Sequence, residues 1–233
     1  MGIFSYTPLR EGKGVNPDDP KLRGPFQFFY VYGVNFFKIL KLNLLYILFC
    51  LPVVTIGPAT AAMVYVLKCY INEEHVFLLY DFFRTFKENI LKSLGFSLIQ
   101  GVALFSLWLS YINLGSIPGM NSLLFPLFVA NLLIIITGFY FYPLTVIYDL
   151  KFGAIIKNAF IFTIIRFPLN LIAAAVFLGI PFAVAWYIPK LLIVLTIVII
   201  PSLIWYFATF FTNGYISRFL TPDEETQGND TDF

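Results

Sequence analysis

Asp81, Arg84 and Glu88 stand three and four residues apart, the spacing that gathers side chains along one face of a helix, and Lys87 and Asn89 flank Glu88 in sequence. Charges in this pattern break no bonds; they form ion pairs and hydrogen bonds with one another or with a partner. These five residues form the candidate docking face. The other sets that could do chemistry are weaker. Glu73, Glu74 and His75 are adjacent, which splays them apart instead of converging them on one metal, and His75 is the only histidine. The only Gly-x-Gly, Gly12-Lys13-Gly14, lies in a polar tail, and no Gly-rich Lys-Ser/Thr phosphate loop is present. One histidine and few acids within apolar segments cannot supply a nucleophile, a base and an orienting group, so the sequence predicts no enzyme, no metal site and no cofactor.

The docking face needs a helix to carry it, and residues 80–93 supply the pattern. Phe82, Phe86, Ile90 and Leu94 recur on one side, while Asp81, Arg84, Glu88 and Lys92 run down another. This predicts one amphipathic helix at the border of a membrane, joining apolar segments and turning a polar face to the cytoplasm. The surrounding composition requires that membrane. The chain is 59% hydrophobic and 19% aromatic, and its 12% of charged residues is half of the ~25% usual in soluble domains. With a mean hydropathy of +0.83 it reads as an integral membrane protein. The lipid bilayer is its first partner, and no nucleic-acid partner is expected.

Six apolar runs follow one another at 38–54, 57–70, 94–113, 123–147, 167–187 and 191–211. The last four approach the ~20 residues that a spanning helix needs, and the first two are shorter. Residues 26–37 are also apolar. They either continue into one long helix to residue 51 or form an interfacial helix before a short span beginning near Lys38. The second reading is favoured, because a lysine near the bilayer centre costs about 2.5–3.5 kcal/mol. Of the 15 Lys and Arg residues, all but Lys190 fall in the N-terminal tail and first helix entrance, in or beside the even-numbered connections, or at the C-terminal end. By the positive-inside rule, both termini and the two long charged connections are then cytoplasmic, and the turn at 55–56 is outward. The fold class expected is all-α, a bundle of about six transmembrane helices over residues 26–220 with amphipathic cytoplasmic helices. A disordered tail at 1–25 and a disordered acidic tail at 221–233 flank it.

Cys50 and Cys69 sit near opposite ends of two successive runs, too far apart for a disulfide. Pro126 is expected in a first helical turn, with kinks at Pro143, Pro181 and Pro201. The polar groups within the spans include Asn113, Asn131 and Asn170, with Asp149 at a cytoplasmic end; they either knit helices together or line a path for a neutral solute.

Pro52, Thr55, Gly57 and Pro58 form a candidate structural hairpin turn. Pro52 ends one helix, Gly57-Pro58 shapes the start of the next, and Ala59, Thr60, Ala61 and Ala62 let two backbones approach. The stretch from Leu51 to Ala62, reading Leu-Pro-Val-Val-Thr-Ile-Gly-Pro-Ala-Thr-Ala-Ala, together with Phe86-Lys87-Glu88-Asn89, resembles the YesL family of small bacterial multi-pass membrane proteins of unassigned function. Family members commonly continue after the asparagine with an aromatic and a basic residue, where this chain has Ile90 and Leu91. The family carries no established activity, so the resemblance assigns no catalytic residue. It implies a context: similar proteins are typically encoded beside carbohydrate ABC importers and sensor kinases. The expected function is a non-enzymatic accessory subunit of such an importer or its sensor kinase, in a bacterial plasma membrane. The alternative is a stand-alone passive transporter or channel for a small neutral solute.

Overall fold

The computed structural model describes residues 25–113, 120–148, 150–168, 170–171 and 199–220. Every regular element among them is helical: α1 (Pro25–Val34), α2 (Phe36–Cys50), a 3-10 turn (Val53–Thr55), α3 (Ile56–Ile71), α4 (Leu78–Glu88), α5 (Ile90–Ile112), α6 (Met120–Ile147), α7 (Phe152–Ile165) and α8 (Ile200–Leu220). Among the described residues, three helices could cross a membrane by length and composition, or four if the bent pair α1–α2 counts as one span. Six spans were expected. Of the predicted runs, residues 169 and 172–187 of 167–187 and residues 191–198 of 191–211 lie outside the described residues, as do residues 1–24, 221–233, Pro181 and Asp149.

The core is built around α3. Its Gly-Pro-Ala-Thr-Ala-Ala start offers little side-chain bulk, so neighbours approach from every side, and α2, α4, α5, α6 and α8 all pack on it. A helix apolar all round is stable only when surrounded. Ala61 and Val64 join Phe96, Ile136, Phe141, Leu144 and Ile155 in one cluster. Ala62, Met63, Val66 and Leu67 join Ile39, Leu42, Phe82 and Tyr206 in the other. Trp205 packs against both clusters and ties α8 to them. By contrast α5 turns Val102, Phe105 and Trp108 outward, and α6 turns Phe125 and Phe128 outward. Exposed apolar surface on that scale is consistent with a membrane protein.

Two helices replace the one long helix that 26–51 could have formed. The break lies at Asn35, three residues before Lys38, and bends the chain by 74°. Asn35 Nδ2 donates to the Val31 carbonyl at 3.1 Å, satisfying an acceptor at the end of α1. Lys38 then reaches the Tyr70 ring, 5.8 Å from its centroid, which links the start of α2 to the end of α3.

The predicted helix over 80–93 is not one helix. It divides at Asn89, whose Nδ2 bonds the Thr85 carbonyl at 3.1 Å, so Ile90 and Leu94 leave the face that Phe82 and Phe86 share and belong to α5. Nor does Pro126 open a helix: α6 begins six residues earlier, at Met120. Pro143 lies within α6 without interrupting it. Pro201 sits in the first turn of α8, where its missing N–H removes no intrahelical bond. Both cysteines are free.

At the end of α3, Glu73 takes a left-handed conformation (φ 60). The Glu74 N–H bonds the Cys69 carbonyl at 2.9 Å and the Glu73 N–H the Tyr70 carbonyl at 3.3 Å, the pair of bonds of a Schellman cap. Glu74 Oε1 then accepts from Asn72 Nδ2 at 3.0 Å and lies 3.4 Å from Lys68 Nζ. Partial burial raises the Glu74 pKa, but the bonds from Asn72 and Cys69 and the charge of Lys68 outweigh it, leaving the carboxyl below its ordinary range. A depressed folded pKa stabilises above the unfolded value, and that contribution is lost as pH falls through the folded one. Glu74→Gln is therefore expected to lower the thermal midpoint slightly at pH 7 and to match the parent at pH 3, measured in one detergent.

Candidate functional site

α4 begins with an internal staple. Asp81 Oδ2 accepts the Phe77 N–H at 2.8 Å, satisfying a donor ahead of the first turn. Beneath the helix, Phe82 and Phe86 close on Phe49 of α2 at ring separations of 5.4 and 5.3 Å. These contacts hold the opposite face outward. Arg84 dominates that face: its Nη2 donates to the Tyr65 hydroxyl at 3.0 Å, and its guanidinium lies 3.7 Å from Asp81 and 3.9 Å from Glu88. It also stands over the Tyr65 and Tyr80 rings, at 5.8 and 5.9 Å from their centroids. Exposed ion pairs at these distances contribute little stability, so their effect is to fix the guanidinium's direction.

The structure divides the five predicted docking residues. Asp81 is drawn inward by its staple, with 13% of its side chain exposed, and Asn89 is 9% exposed and engaged with Thr85. Arg84 and Glu88 remain on the surface, 41% and 63% exposed. Lys87 lines a groove of about 380 Å³ with Leu79, Tyr80, Phe83 and Arg84. Sequence spacing missed Leu79, Tyr80, Phe83 and Tyr65. The first three were open to reading as helix neighbours of Arg84, whereas Tyr65 comes from another helix and leaves no local signal.

The residues of the predicted hairpin turn lie between α2 and α3, close to the end of α4. Thr55 donates its hydroxyl between the Pro52 carbonyl, at 2.6 Å, and the Phe49 carbonyl, closing the end of α2. A Cβ on Gly57 would overlap the Ser93 carbonyl and come within 2.6 Å of Ser97 Oγ, so the turn rests directly on the first turns of α5. An outward turn and a cytoplasmic helix end were expected on opposite faces of the membrane. They meet instead, because α4 doubles back along α3 and returns the chain to the turn.

The polar groups considered for a solute path bond within their own surroundings. Asn170 accepts from the Tyr140 hydroxyl at 2.7 Å and donates to the Thr163 carbonyl at 3.1 Å, while Thr163 reaches Thr137 at 3.3 Å. These bonds join α6 to the chain after α7. Asn131 donates to Leu127 within α6 and Asn113 to Leu109 at the end of α5.

The turn, α3, α4 and α5 form one continuous block with most of α2, and this is the part of the chain that matches a known family. Residues 39–111 match the family described as Protein of unknown function, DUF624. No curated protein and no solved structure matches the chain. The DUF624 block ends one residue before the end of α5 and contains both stretches that resemble the YesL family, along with the Gly57 contact and all of α4.

Proposed function

We propose that this chain is a non-enzymatic multi-pass protein of a bacterial plasma membrane, with cytoplasmic tails, that serves as an accessory subunit of a carbohydrate ABC importer or of its sensor kinase. One observation carries the reading: Arg84, Lys87 and Glu88 form an outward charged face on a bundle whose α5 and α6 turn large apolar side chains outward. Arg84 is oriented in advance by Tyr65, Asp81 and Glu88, so a partner's carboxylate meets a donor that is already aimed. The charge asymmetry supports the cytoplasmic side for this face, and the YesL resemblance supports the importer context. The bonds at Asn170 favour helix packing over a conduit at that residue.

Gentle-detergent affinity purification from native expression, followed by mass spectrometry, tests the proposal. Recovery of an importer permease or a sensor kinase is expected; recovery of the chain alone refutes it. Lys87→Glu should weaken capture by about tenfold, the size of a ~1.4 kcal/mol interfacial charge contact. Its thermal midpoint should match the parent, since Lys87 stands at the groove and not in the core. Uptake of a neutral sugar into liposomes by the purified chain would favour the rival transporter reading.

A further inference from the structure

The path of α4 bears on how the preceding hairpin meets the membrane. Arg84 bonds Tyr65 near the middle of α3, and Phe82 and Phe86 reach Phe49 near the end of α2. The chain then enters α5, where Ser93 and Ser97 meet Gly57. The tip of the α2–α3 hairpin therefore lies level with the foot of α5, a helix of 23 residues or about 35 Å, long enough to cross a bilayer. α3 with the 3-10 turn ahead of it is 19 residues, about 28 Å, and is one of the three helices long and apolar enough to cross, but the charged face of α4 lies alongside it. If the hairpin crossed the bilayer, that face would stand at hydrocarbon depth, where each ionised group costs about 2.5–3.5 kcal/mol. α3 does not need lipid, because protein surrounds it on all sides.

We infer that the α2–α3 hairpin does not cross the bilayer: it rests in the membrane border, with its tip among the acyl chains on the same side as the charged face of α4. The tip has the surface for that occupant. Leu51, Val53 and Val54 are 72%, 76% and 60% exposed, and Leu91 beside them on α5 is 86% exposed. This patch continues the outward apolar surface of α5, so the lipid that covers one covers the other. No Lys, Arg, Asp or Glu occurs between Lys41 and Lys68, so the hairpin tip carries no charge of its own that opposes insertion. The positive-inside count survives unchanged, because the turn it placed outside contains no Lys or Arg. Removing two crossings also leaves the parity of the chain intact, so both tails stay on one side.

Single cysteines introduced into a Cys50→Ala/Cys69→Ala background test this in right-side-out and inverted vesicles, using a membrane-impermeant maleimide. Lys87→Cys should label in one orientation only and Tyr111→Cys, at the far end of α5, only in the other. Val54→Cys should never label in the orientation that exposes Tyr111→Cys. A fluorophore at position 54 should lose intensity in vesicles of brominated phospholipid, and one at position 87 should not. Labelling of Val54→Cys together with Tyr111→Cys would establish a crossing hairpin and overturn the inference. So would an unquenched fluorophore at position 54, which puts the tip in water, or same-side labelling at 87 and 111. Should Val54→Cys fail to assemble, Leu51→Cys carries the same readouts.

Discussion

Gly57→Ala is expected to lower the thermal midpoint of the purified protein by about 5–10 °C, since overpacking costs ~1–3 kcal/mol and a chain of this length loses ~2–4 °C per kcal/mol. The upper part of that range applies because the nearest obstacle is the Ser93 backbone carbonyl, which cannot rotate away, with Ser97 Oγ at 2.6 Å behind it. Two comparisons separate this from a general effect of altering helical glycines. Gly101→Ala meets nothing within 4 Å, so its midpoint should hold or rise, as alanine favours helix over glycine. Gly138→Ala meets the end of the Gln100 side chain at 2.7 Å, which can swing aside, so its loss should be intermediate. Differential scanning fluorimetry in a single detergent reads all three. An unchanged midpoint for Gly57→Ala would mean that the turn does not rest on α5, and the one-sided hairpin would lose its principal contact.

How much of this was legible in the sequence depends on the kind of signal each feature leaves. The helices showed because long apolar runs have few alternatives in a membrane, and the turn at Pro52, Thr55, Gly57 and Pro58 showed because those residues punctuate a chain by their own backbone chemistry. The breaks at Asn35 and Asn89 did not show, because helical periodicity runs through both. Yet they share a device: at Asn35, Asn89 and Asn113 the side-chain amide bonds the carbonyl four residues back, at the ends of α1, α4 and α5. Asparagine in an apolar stretch was a readable hint of a helix end. It was not sufficient, since Asn131 makes the same bond inside α6 without ending it. The direction of α4 along α3 left no signal, because the positive-inside rule weighs only Lys and Arg and the tip has neither. For the proposed docking face, spacing grouped Arg84, Lys87 and Glu88, which the structure leaves exposed. It could not tell that Asp81 and Asn89 spend their polar groups on α4 itself.

Asn43→Leu is the second substitution with a large expected effect, a loss of about 2 kcal/mol, within the ~1–3 kcal/mol that an orphaned buried donor costs. Asn43 is fully buried in α2, and its Oδ1 accepts the Ser202 N–H at 3.0 Å across 159 residues of sequence. Ser202 lies in the first turn of α8, where N–H groups have no intrahelical partner, and its hydroxyl is already committed to the Ile199 carbonyl at 2.8 Å. Leucine is similar in volume, so no cavity opens; what disappears is the acceptor, in surroundings where no water can replace it. The midpoint should fall by ~4–8 °C on the same scale as before. Asn43→Asp supplies the control, since it retains an oxygen acceptor but ionises as the pH rises. At a pH low enough to keep the new carboxyl neutral, its midpoint should lie closer to the parent than that of Asn43→Leu, because the Ser202 N–H keeps an acceptor. Because this bond links the first hairpin to the last described helix, its loss should also loosen Trp205 and Tyr206, which join α8 to both core clusters. Intrinsic tryptophan fluorescence that shifts to the red in Asn43→Leu, but not in Gly57→Ala, would separate detachment of α8 from strain at the turn.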